Sequence, residues 1–453
     1  MFPRTIVDSL HSWAERAARK PLVLRGARQV GKTTAVHLLA RDFDHFVDLD
    51  LERAEDAELF TRGLPVKDLY QAILLARNIT PGRGRLLLFL DEIQACPEAI
   101  DMLRFFHEDM PELHVIAAGS LLEIVLARGG VGFPVGRVEH RFMAPLTFAE
   151  FLTATGDEQG LHAFMEVPVS DYAVPHLMNQ FRKYALVGGM PEIVASYAGH
   201  GDITRLNDLV TSLLQSFVDD VGKYARSAAL APIIRHALET APLEAGKRVT
   251  YAGFGKSSYR SREMGEALRI LEQAMLIRLL PSTTSVEIPI VPDLKKAPRL
   301  QYLDTGLINA VLGLQGHFFK YEDLHAIHQG VIAEHIVGQE LLARAVGTPH
   351  RLCFWVREKR NASAEVDFVI QHEGLVIPVE VKAGSSGRLR SLHQFMARSN
   401  HPYAVRLYHG PLSLQQISAN GIEFQLLNLP YCLTSQIPKY LDLLLHHPEQ
   451  LNG

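Results

Sequence analysis

A glycine-rich stretch near the N-terminus has the spacing of a phosphate-binding loop, G-x-x-x-x-G-K-[ST]. In such a loop the main-chain N–H groups point at phosphate oxygens, Lys32 reaches the outer phosphates, and the Thr33 hydroxyl is a magnesium ligand. An apolar run at 21–25 precedes the loop and a helical pattern follows it, which is the context that the motif requires. The sequence therefore predicts binding of a nucleoside triphosphate with Mg²⁺. The residues of the predicted loop are Gly26, Ala27, Arg28, Gln29, Val30, Gly31, Lys32, Thr33 and Thr34.

Two acidic residues follow the apolar run at 86–90 and supply the second half of this site. Five apolar residues in a row predict a central parallel strand that is buried on both faces. At its end, we expect Asp91 to hold the magnesium through water and Glu92 to orient or deprotonate the attacking water. The alternative is a strand followed by two solvated acids.

Three further polar residues are candidates for contacts with the outermost phosphate. The apolar run at 114–118 ends near Ser120, which we expect to touch the attacking water or the γ-phosphate; a plain turn serine is the alternative. Arg137 follows a segment expected to be mobile and is the candidate to reach the γ-phosphate of a neighbouring subunit. Arg141 competes for this role, and a simple surface arginine stays open for both.

A second group of acids lies near the C-terminus. Residues 365–370 and 376–382 are predicted to form two adjoining strands. Side-chain alternation places Glu380 and Lys382 on one face, where Asp367 of the other strand can join them.

The group is completed by Glu334, which lies in a helical run at 330–343. Together these residues resemble the PD-(D/E)xK nuclease core, in which carboxylates bind Mg²⁺ or Mn²⁺ and the lysine helps to position water and phosphate. Without a metal such acids repel and desolvate one another, which argues for a function. Whether the site cleaves stays open, and the alternatives are a binding module or a salt-bridged pair, Glu380 with Lys382 or Asp367 with Arg357.

Composition limits the classes of protein that the chain can be. It has 453 residues, 47% of them hydrophobic, with a net charge of −4 and a mean hydropathy of +0.04. These values exclude disorder and suggest about three domains. Three scattered cysteines are too few for a disulfide framework or a zinc site and fit a reducing cytoplasm. We find no targeting segment and no apolar stretch near the roughly 20 residues that span a bilayer, so no membrane partner is expected.

The charge is unevenly distributed along the chain. Residues 221–300 hold 13 lysines and arginines against 7 acidic residues, whereas residues 1–220 carry a net charge of about −9. The middle is therefore a candidate for binding nucleic acid, DNA rather than RNA. A neutralising contact with the acidic first half is the alternative.

The same basic middle has the order helix, helix and hairpin. Residues 261–271 have helical apolar spacing, and residues 276–280 break it and read as a strand that Pro281 stops. This order is compatible with a winged helix, in which arginines contact phosphates. An internal packing module is the alternative. The candidate arginines are Arg260, Arg262 and Arg269.

Taken together, these motifs resemble a prokaryotic AAA+ ATPase family with an N-terminal AAA_14 domain and a C-terminal domain called DUF4143. The resemblance implies ATP rather than GTP, a sheet in which the sensor strand lies between the phosphate-loop strand and the strand of Asp91, and often a ring of identical subunits. The segments that carry it, besides the phosphate loop, are 90–94, 118–120, 136–137, 145–151, the Gly-Gly-x-Pro turn at 188–191, and 300–307 with Tyr302, Asp304 and Gly306.

The sequence thus predicts an α/β chain of three parts. We expect a P-loop ASCE/AAA+ ATPase domain over 1–150, a helical and winged-helix-like region over 151–320, and a restriction-endonuclease-like α/β domain over 321–453. The expected function is Mg²⁺-dependent ATP hydrolysis coupled to a nucleic-acid task, with a second Mg²⁺ or Mn²⁺ in the C-terminal domain. The alternative is a cytoplasmic regulatory ATPase that binds a protein client through an inactive C-terminal domain.

Overall fold

The computed structural model describes residues 2–80, 84–128, 132, 134, 136–320, 323–324, 327, 330–344, 352–357, 364–382, 389–419 and 421–451. They form an α/β protein with one parallel sheet near the N-terminus and one mixed sheet near the C-terminus. The predicted fold class is confirmed. Among the described residues, no helix combines the length and the apolar character needed to cross a membrane.

The N-terminal sheet consists of β1 (Leu22–Arg25), β2 (His45–Asp50), β3 (Leu86–Asp91), β4 (His114–Gly119) and β5 (Glu139–Phe142). All neighbours are parallel, in the order β2-β3-β4-β1-β5, so β4 lies between the phosphate-loop strand β1 and the acidic strand β3, as the resemblance implied. The run Leu86–Leu90 is buried because helices cover both faces of the sheet. These helices are α1 (Thr5–Ala14), α2 (Lys32–Leu39), α3 (Ala54–Thr61), α4 (Val66–Ala76), α5 (Pro97–Asp109), α6 (Leu122–Arg128) and α7 (Phe148–Ala154).

The middle of the chain is mostly helical. Its helices are α8 (Glu158–Met165), α9 (Val174–Val187), α10 (Pro191–His200), α11 (Leu206–Asp219), α12 (Val221–Tyr224), α13 (Ala231–Thr240), α14 (Ser261–Gln273), α15 (Thr305–Leu312) and α16 (Gln315–Lys320). Its strands are β6 (Ile277–Leu280), β7 (Ser282–Thr283), β8 (Pro292–Asp293) and β9 (Arg299–Tyr302). The predicted helix at 261–271 and the strand after it are present as α14 and β6. The predicted short hairpin is not: β6 pairs antiparallel with β9, and β7 and β8, which lie between them in the chain, join another sheet.

The C-terminal sheet has eight strands in the order β14-β15-β13-β12-β11-β10-β7-β8, so β7 and β8 of the middle extend its edge. Strands β11 and β12 pair antiparallel, and β12, β13 and β15 run parallel. The elements new to this region are α17 (Val331–Ala343), β10 (Cys353–Val356), β11 (Glu365–His372), β12 (Leu375–Lys382), α18 (Arg390–Met396), β13 (Tyr403–Tyr408), β14 (Ser413–Ala419), β15 (Ile422–Pro430) and α19 (Ile437–His446).

The Gly-Gly-x-Pro turn packs against the start of α15. The Gly189 N–H donates to Asp304 Oδ2 at 2.6 Å. A Cβ atom on Gly188 would lie 2.0 Å from Asp304 Oδ1, and one on Gly306 would lie 2.1 Å from the Val187 carbonyl oxygen. Glycines stand here because the two backbones meet with no room for side chains. The turn therefore serves packing.

The largest hydrophobic core is continuous from Ile6 to Leu451 and includes buried residues of all three parts of the chain. At its centre Phe148 of α7 packs on Tyr184 of α9, and both bond to Glu340 of α17. The Phe148 N–H and the Tyr184 hydroxyl donate to Glu340 Oε1 at 3.0 and 2.8 Å. One buried carboxyl group thus ties the N-terminal, middle and C-terminal regions together.

Candidate functional site

The phosphate loop connects β1 to the first turn of α2. Gly31 has φ +97°, in the left-handed region that glycine enters without strain. A Cβ atom on Gly26 would lie 2.5 Å from the carbonyl oxygen of Met143. The two glycines of the motif are therefore required, one by the turn and one by a close approach. The loop therefore places the N-terminus of α2, with its free N–H groups, at the carboxyl end of β1.

Lys32 is buried at the mouth of this loop. Its Nζ donates to the carbonyl oxygens of Gly26 at 3.1 Å and Ala27 at 2.9 Å. Burial lowers the pKa of Lys32 to about 8, although the nearby Glu92 and Asp91 act in the opposite direction. The ammonium group therefore lacks a full ionic partner, and a bound phosphate would supply one.

Thr33 and Asp91 meet where α2 begins and β3 ends. The Thr33 hydroxyl donates to Asp91 Oδ2 at 2.6 Å, and the Glu92 N–H donates to Asp91 Oδ1 at 3.0 Å. Burial raises the pKa of Asp91 above its usual value. A hydroxyl and a carboxylate at this distance are hard oxygen ligands of the kind that Mg²⁺ prefers. The pair fits the magnesium that accompanies a nucleoside triphosphate.

Glu92 is held in an unusual conformation directly after Asp91. Its φ of 48° and ψ of 44° lie in the left-handed region, which non-glycine residues adopt rarely. Glu92 Oε2 accepts a hydrogen bond from Gln94 Nε2 at 2.5 Å.

Gln94 also lies against the neighbouring strand, since a Cβ atom on Gly119 at the end of β4 would be 2.1 Å from Gln94 Oε1. Sequence reasoning quoted Gln94 only within the family resemblance and gave it no role, and no local pattern reveals that it holds Glu92. Ser120 follows Gly119 and is buried at the same edge of the sheet as Asp91.

The middle region covers the phosphate loop. Arg28 forms an ion pair with Asp220, which lies between α11 and α12 and is almost fully buried. Burial alone would lower the pKa of Arg28, but Asp220 raises it above its usual value. On the same helix corner, Lys223 lies 2.9 Å from Glu52, which follows β2. Sequence reasoning assigned Arg28 to the loop without anticipating this contact.

The two candidate arginines after the loop differ in placement. Arg137 is 47% exposed, and its Nε donates to Glu108 Oε1 of α5 at 2.8 Å. Arg141 points inward, where its Nε donates to the Ser9 hydroxyl at 2.8 Å. Most of the segment expected to be mobile, at 129–131, 133 and 135, lies outside the described residues. Of the two arginines, Arg137 is the one that lies on the surface.

The C-terminal acids come together as predicted. Lys382 Nζ lies 2.9 Å from Glu380 Oε1, and the Val381 N–H donates to Asp367 Oδ2 at 2.8 Å. Glu334 of α17 faces the same cluster. Burial, and then the charge of Asp367, raises the pKa values of Glu334 and Glu380 to about 8.

A fifth residue, which the sequence did not point to, lies among these acids. Arg299 Nη1 is 3.5 Å from Glu334 Oε2 and 3.8 Å from Asp367 Oδ1, and Nη2 pairs with Glu365. Asp367 thus pairs with Arg299 and not with Arg357, the partner considered from sequence. A guanidinium group between two of the three acids that would bind a metal does not fit a divalent ion at this place. In the part of the chain that the structure describes, the three ligand-type groups that converge within 4.8 Å belong to another place, His372, Glu373 and Asp442.

Comparison with known families divides the chain into three matched segments. Residues 18–152 match the AAA_14 model, an AAA domain, and residues 329–424 match DUF4143, a domain of unknown function. Residues 178–317 match DUF8612, another domain of unknown function, which the sequence analysis did not anticipate. No curated protein matches the chain.

Solved structures give weak matches. A Walker-type ATPase of Pyrococcus abyssi has a TM-score of 0.43 and 17% identity, with 69% of this chain and 96% of that chain covered. A Pyrococcus horikoshii STAND protein (signal transduction ATPase with numerous domains) with a tetratricopeptide repeat sensor has a TM-score of 0.28 and 12% identity, covering 75% of this chain and 46% of that one. PCH-2 of C. elegans has a TM-score of 0.24 and 10% identity, covering 61% and 70%.

The first and last of the three family matches agree with the motifs at Lys32, at Asp91 and in the C-terminal strands. The chain therefore carries an AAA domain of the AAA_14 type over residues 18–152 and a DUF4143 domain over residues 329–424.

Proposed function

We propose that the AAA domain binds ATP with Mg²⁺ and hydrolyses it, and that the middle region responds to the nucleotide. The proposal depends on one observation: Lys32, Thr33, Asp91 and Glu92 meet at the carboxyl edge of the parallel sheet. This is where ligands of open α/β sheets bind.

Each of these side chains has a distinct task in the proposed reaction. Lys32 exchanges its two carbonyl partners for phosphate oxygens, and Thr33 and Asp91 hold the metal. Bound magnesium neutralises charge on the phosphate oxygens. Glu92 orients the attacking water or accepts its proton, and Gln94 fixes the Glu92 carboxylate beside β4. Ser120 lies buried at the end of β4, where a contact with the water or the γ-phosphate is proposed.

The test separates binding from turnover. Glu92→Gln should lower ATP turnover by about 100-fold or more while ATP binding persists, because a positioned base contributes factors of this size. Glu98→Gln changes an exposed glutamate a few residues further on and is the matched control. Phosphate release and the binding of a fluorescent ATP analogue are measured. A Glu92→Gln variant that turns over ATP at the wild-type rate would falsify the assignment of Glu92.

The proposed client is nucleic acid, DNA before RNA. Arg260, Arg262 and Arg269 are exposed at the start of α14 and along it, and α14 is followed by β6, which pairs antiparallel with β9. DNA should raise ATP turnover, and its binding should weaken steeply as salt is added. The variant Arg262→Ala/Arg269→Ala should lower DNA affinity, whereas Lys67→Ala, an exposed change on α4, should not. If neither DNA nor RNA binds at low salt, the nucleic-acid proposal is wrong.

A protein client is the second candidate, and one surface favours it. Ile288 and Val291 lie between β7 and β8, and Leu294 directly follows β8; their exposed fractions are 48%, 60% and 74%. Clustered exposed apolar side chains often mark an interface. A photo-cross-linking residue in place of Val291 should capture one protein in a nucleotide-dependent manner. The same probe at Leu75, which is 83% exposed on α4, is the control. Equal, nucleotide-independent labelling at both positions would count against this candidate.

We further propose that the chain works as a homo-oligomer in which Arg137 reaches the γ-phosphate bound to a neighbouring subunit. Its exposed side chain, which lies on the surface beside Glu108 of α5, supports this role. Arg137→Ala and Glu92→Gln should each be nearly inactive alone. Mixing the two should restore part of the ATP turnover, because some interfaces then combine an intact arginine with an intact base. A monomer that hydrolyses ATP at full rate would overturn the proposal.

A further inference from the structure

We infer that Arg299 is the resident cation of the C-terminal acidic cluster, so that this cluster holds no divalent metal in the conformation described. The inference concerns Glu334, Asp367, Glu380 and Lys382 and is independent of ATP hydrolysis at the AAA domain.

Arg299 enters the cluster from another part of the fold. It is the first residue of β9 and pairs with Leu280 of β6, outside the C-terminal sheet. Its side chain is only 8% exposed, and its guanidinium group lies over the Phe354 ring at 5.0 Å from the ring centre. Burial and the aromatic face fix the orientation of the group.

The donor edge of this guanidinium faces carboxylates from two elements. Nη1 lies 3.5 Å from Glu334 Oε2 on α17 and 3.8 Å from Asp367 Oδ1 on β11. Nη1 also donates to the main-chain oxygen of Asp367 at 3.3 Å, and Nη2 pairs with Glu365. One nitrogen therefore lies between two of the three acids that would bind a metal ion.

Two cations already lie among the acids. The carboxyl groups of Glu334, Glu365, Asp367 and Glu380 face Arg299 and Lys382, and Arg248 approaches Glu365 at 3.2 Å from outside. A divalent ion placed between Glu334 and Asp367 would lie within a few ångströms of a buried positive charge. Because Arg299 Nη1 already lies between these two carboxylates, an ion at that position would have to displace the guanidinium group and would be repelled by it.

The substitution of a guanidinium for a metal changes the chemistry of the site. A metal lowers the pKa of bound water and so generates a nucleophile at neutral pH. A guanidinium only donates hydrogen bonds and stays charged. Arg299 can hold the acids in place, but it cannot activate water for cleavage of a phosphodiester. The cluster with Arg299 inserted is therefore closed as a nuclease site.

Binding of Mn²⁺ to the nucleotide-free full chain tests this inference, because Mn²⁺ can be followed directly by electron paramagnetic resonance. Wild-type protein should show no Mn²⁺ site that depends on Asp367. Arg299→Gln should gain one site, and Arg299→Gln/Asp367→Asn should lose it again. Two matched controls should gain none: Arg299→Lys keeps the charge, and Arg248→Gln removes a cation that touches Glu365 only from outside.

Three results would overturn the inference. The first is a wild-type Mn²⁺ site that Asp367→Asn abolishes, and the second is a folded Arg299→Gln variant that gains no site. If Arg299→Gln does not fold, the double variant Arg299→Gln/Glu334→Gln, which removes both members of one ion pair, should fold. A double variant that also fails to fold is the third result.

Discussion

The nucleotide site and the C-terminal acidic cluster are built from the same residue types, a lysine and carboxylates, but they differ in the groups that pair with them. Lys32 donates to two main-chain carbonyl oxygens, and Asp91 accepts from one hydroxyl and one N–H group. In the cluster, Lys382 pairs with Glu380, and Arg299 from a distant strand pairs with Asp367.

The difference shows that the same residue types can form a site that accepts a charged ligand or one that does not. Neutral partners are readily exchanged for a charged ligand, so the nucleotide site is prepared for phosphate and magnesium. Buried ionic partners are not readily exchanged. Removing one partner leaves the other charge buried without compensation, at a cost of about 3–5 kcal/mol of stability. Residue type and strand position alone do not separate the two cases.

The largest expected contrast is between the two lysines. Lys32→Ala should weaken ATP binding by about 100-fold or more, because a charge-assisted contact with phosphate is lost in a buried site. Lys382→Ala should leave ATP affinity within about twofold, since its partners lie in the acidic cluster. Calorimetric titration with ATP measures both. An equal loss of affinity would show that the two sites are coupled and would break the comparison.

A smaller contrast concerns one residue of each site and the stability of the nucleotide-free protein. Arg299→Gln removes the buried cation that pairs with Glu334, Glu365 and Asp367 and should lower the free energy of unfolding by about 3 kcal/mol, because these acids lose their shared partner. Asp91→Asn should change it by no more than about 1 kcal/mol, because Asp91 is paired only with neutral groups. Urea unfolding curves provide both values. A larger loss for Asp91→Asn would contradict the distinction between neutral and ionic partners.

The smallest expected effect is a proton taken up with ATP. Lys32 has a pKa of about 8, below the 10.5 of a free lysine, because it is buried. Phosphate favours the charged form and raises the pKa, so binding takes up protons at pH values above about 8. The uptake should be roughly three quarters of a proton at pH 8.5 and close to zero at pH 7. Titrations in two buffers of different ionisation enthalpy measure it, and identical binding enthalpies at pH 8.5 would refute it.

Much of the nucleotide site could be predicted from sequence because its residues are local. Residues 26–34 form one loop, and residues 86–92 form one strand with its end, so periodicity and motif spacing place both. Even the pairing of Thr33 with Asp91 follows from the rule that parallel strands end at the same edge.

The contacts that sequence reasoning missed join residues far apart in the chain. Arg28 meets Asp220, Gln94 meets Gly119, and Arg299 meets Asp367 through packing of whole elements. No local sequence pattern predicts such a long-range contact, because a single arginine is expected on the surface at any position in the chain. The matches of three segments to three separate domain families likewise do not predict the contacts between those segments.

The hydrogen bonds of Glu340 to Phe148 and Tyr184 affect how this protein can be dissected. A fragment ending near residue 150 would expose Phe148, Phe151 and the apolar side chains that α9 and α17 now cover. Such a fragment is expected to aggregate and to fold poorly when expressed alone, even though the AAA_14 match ends at residue 152. Activity assays therefore call for the intact chain, and a severed N-terminal piece is expected to regain order only when the remainder is supplied in trans.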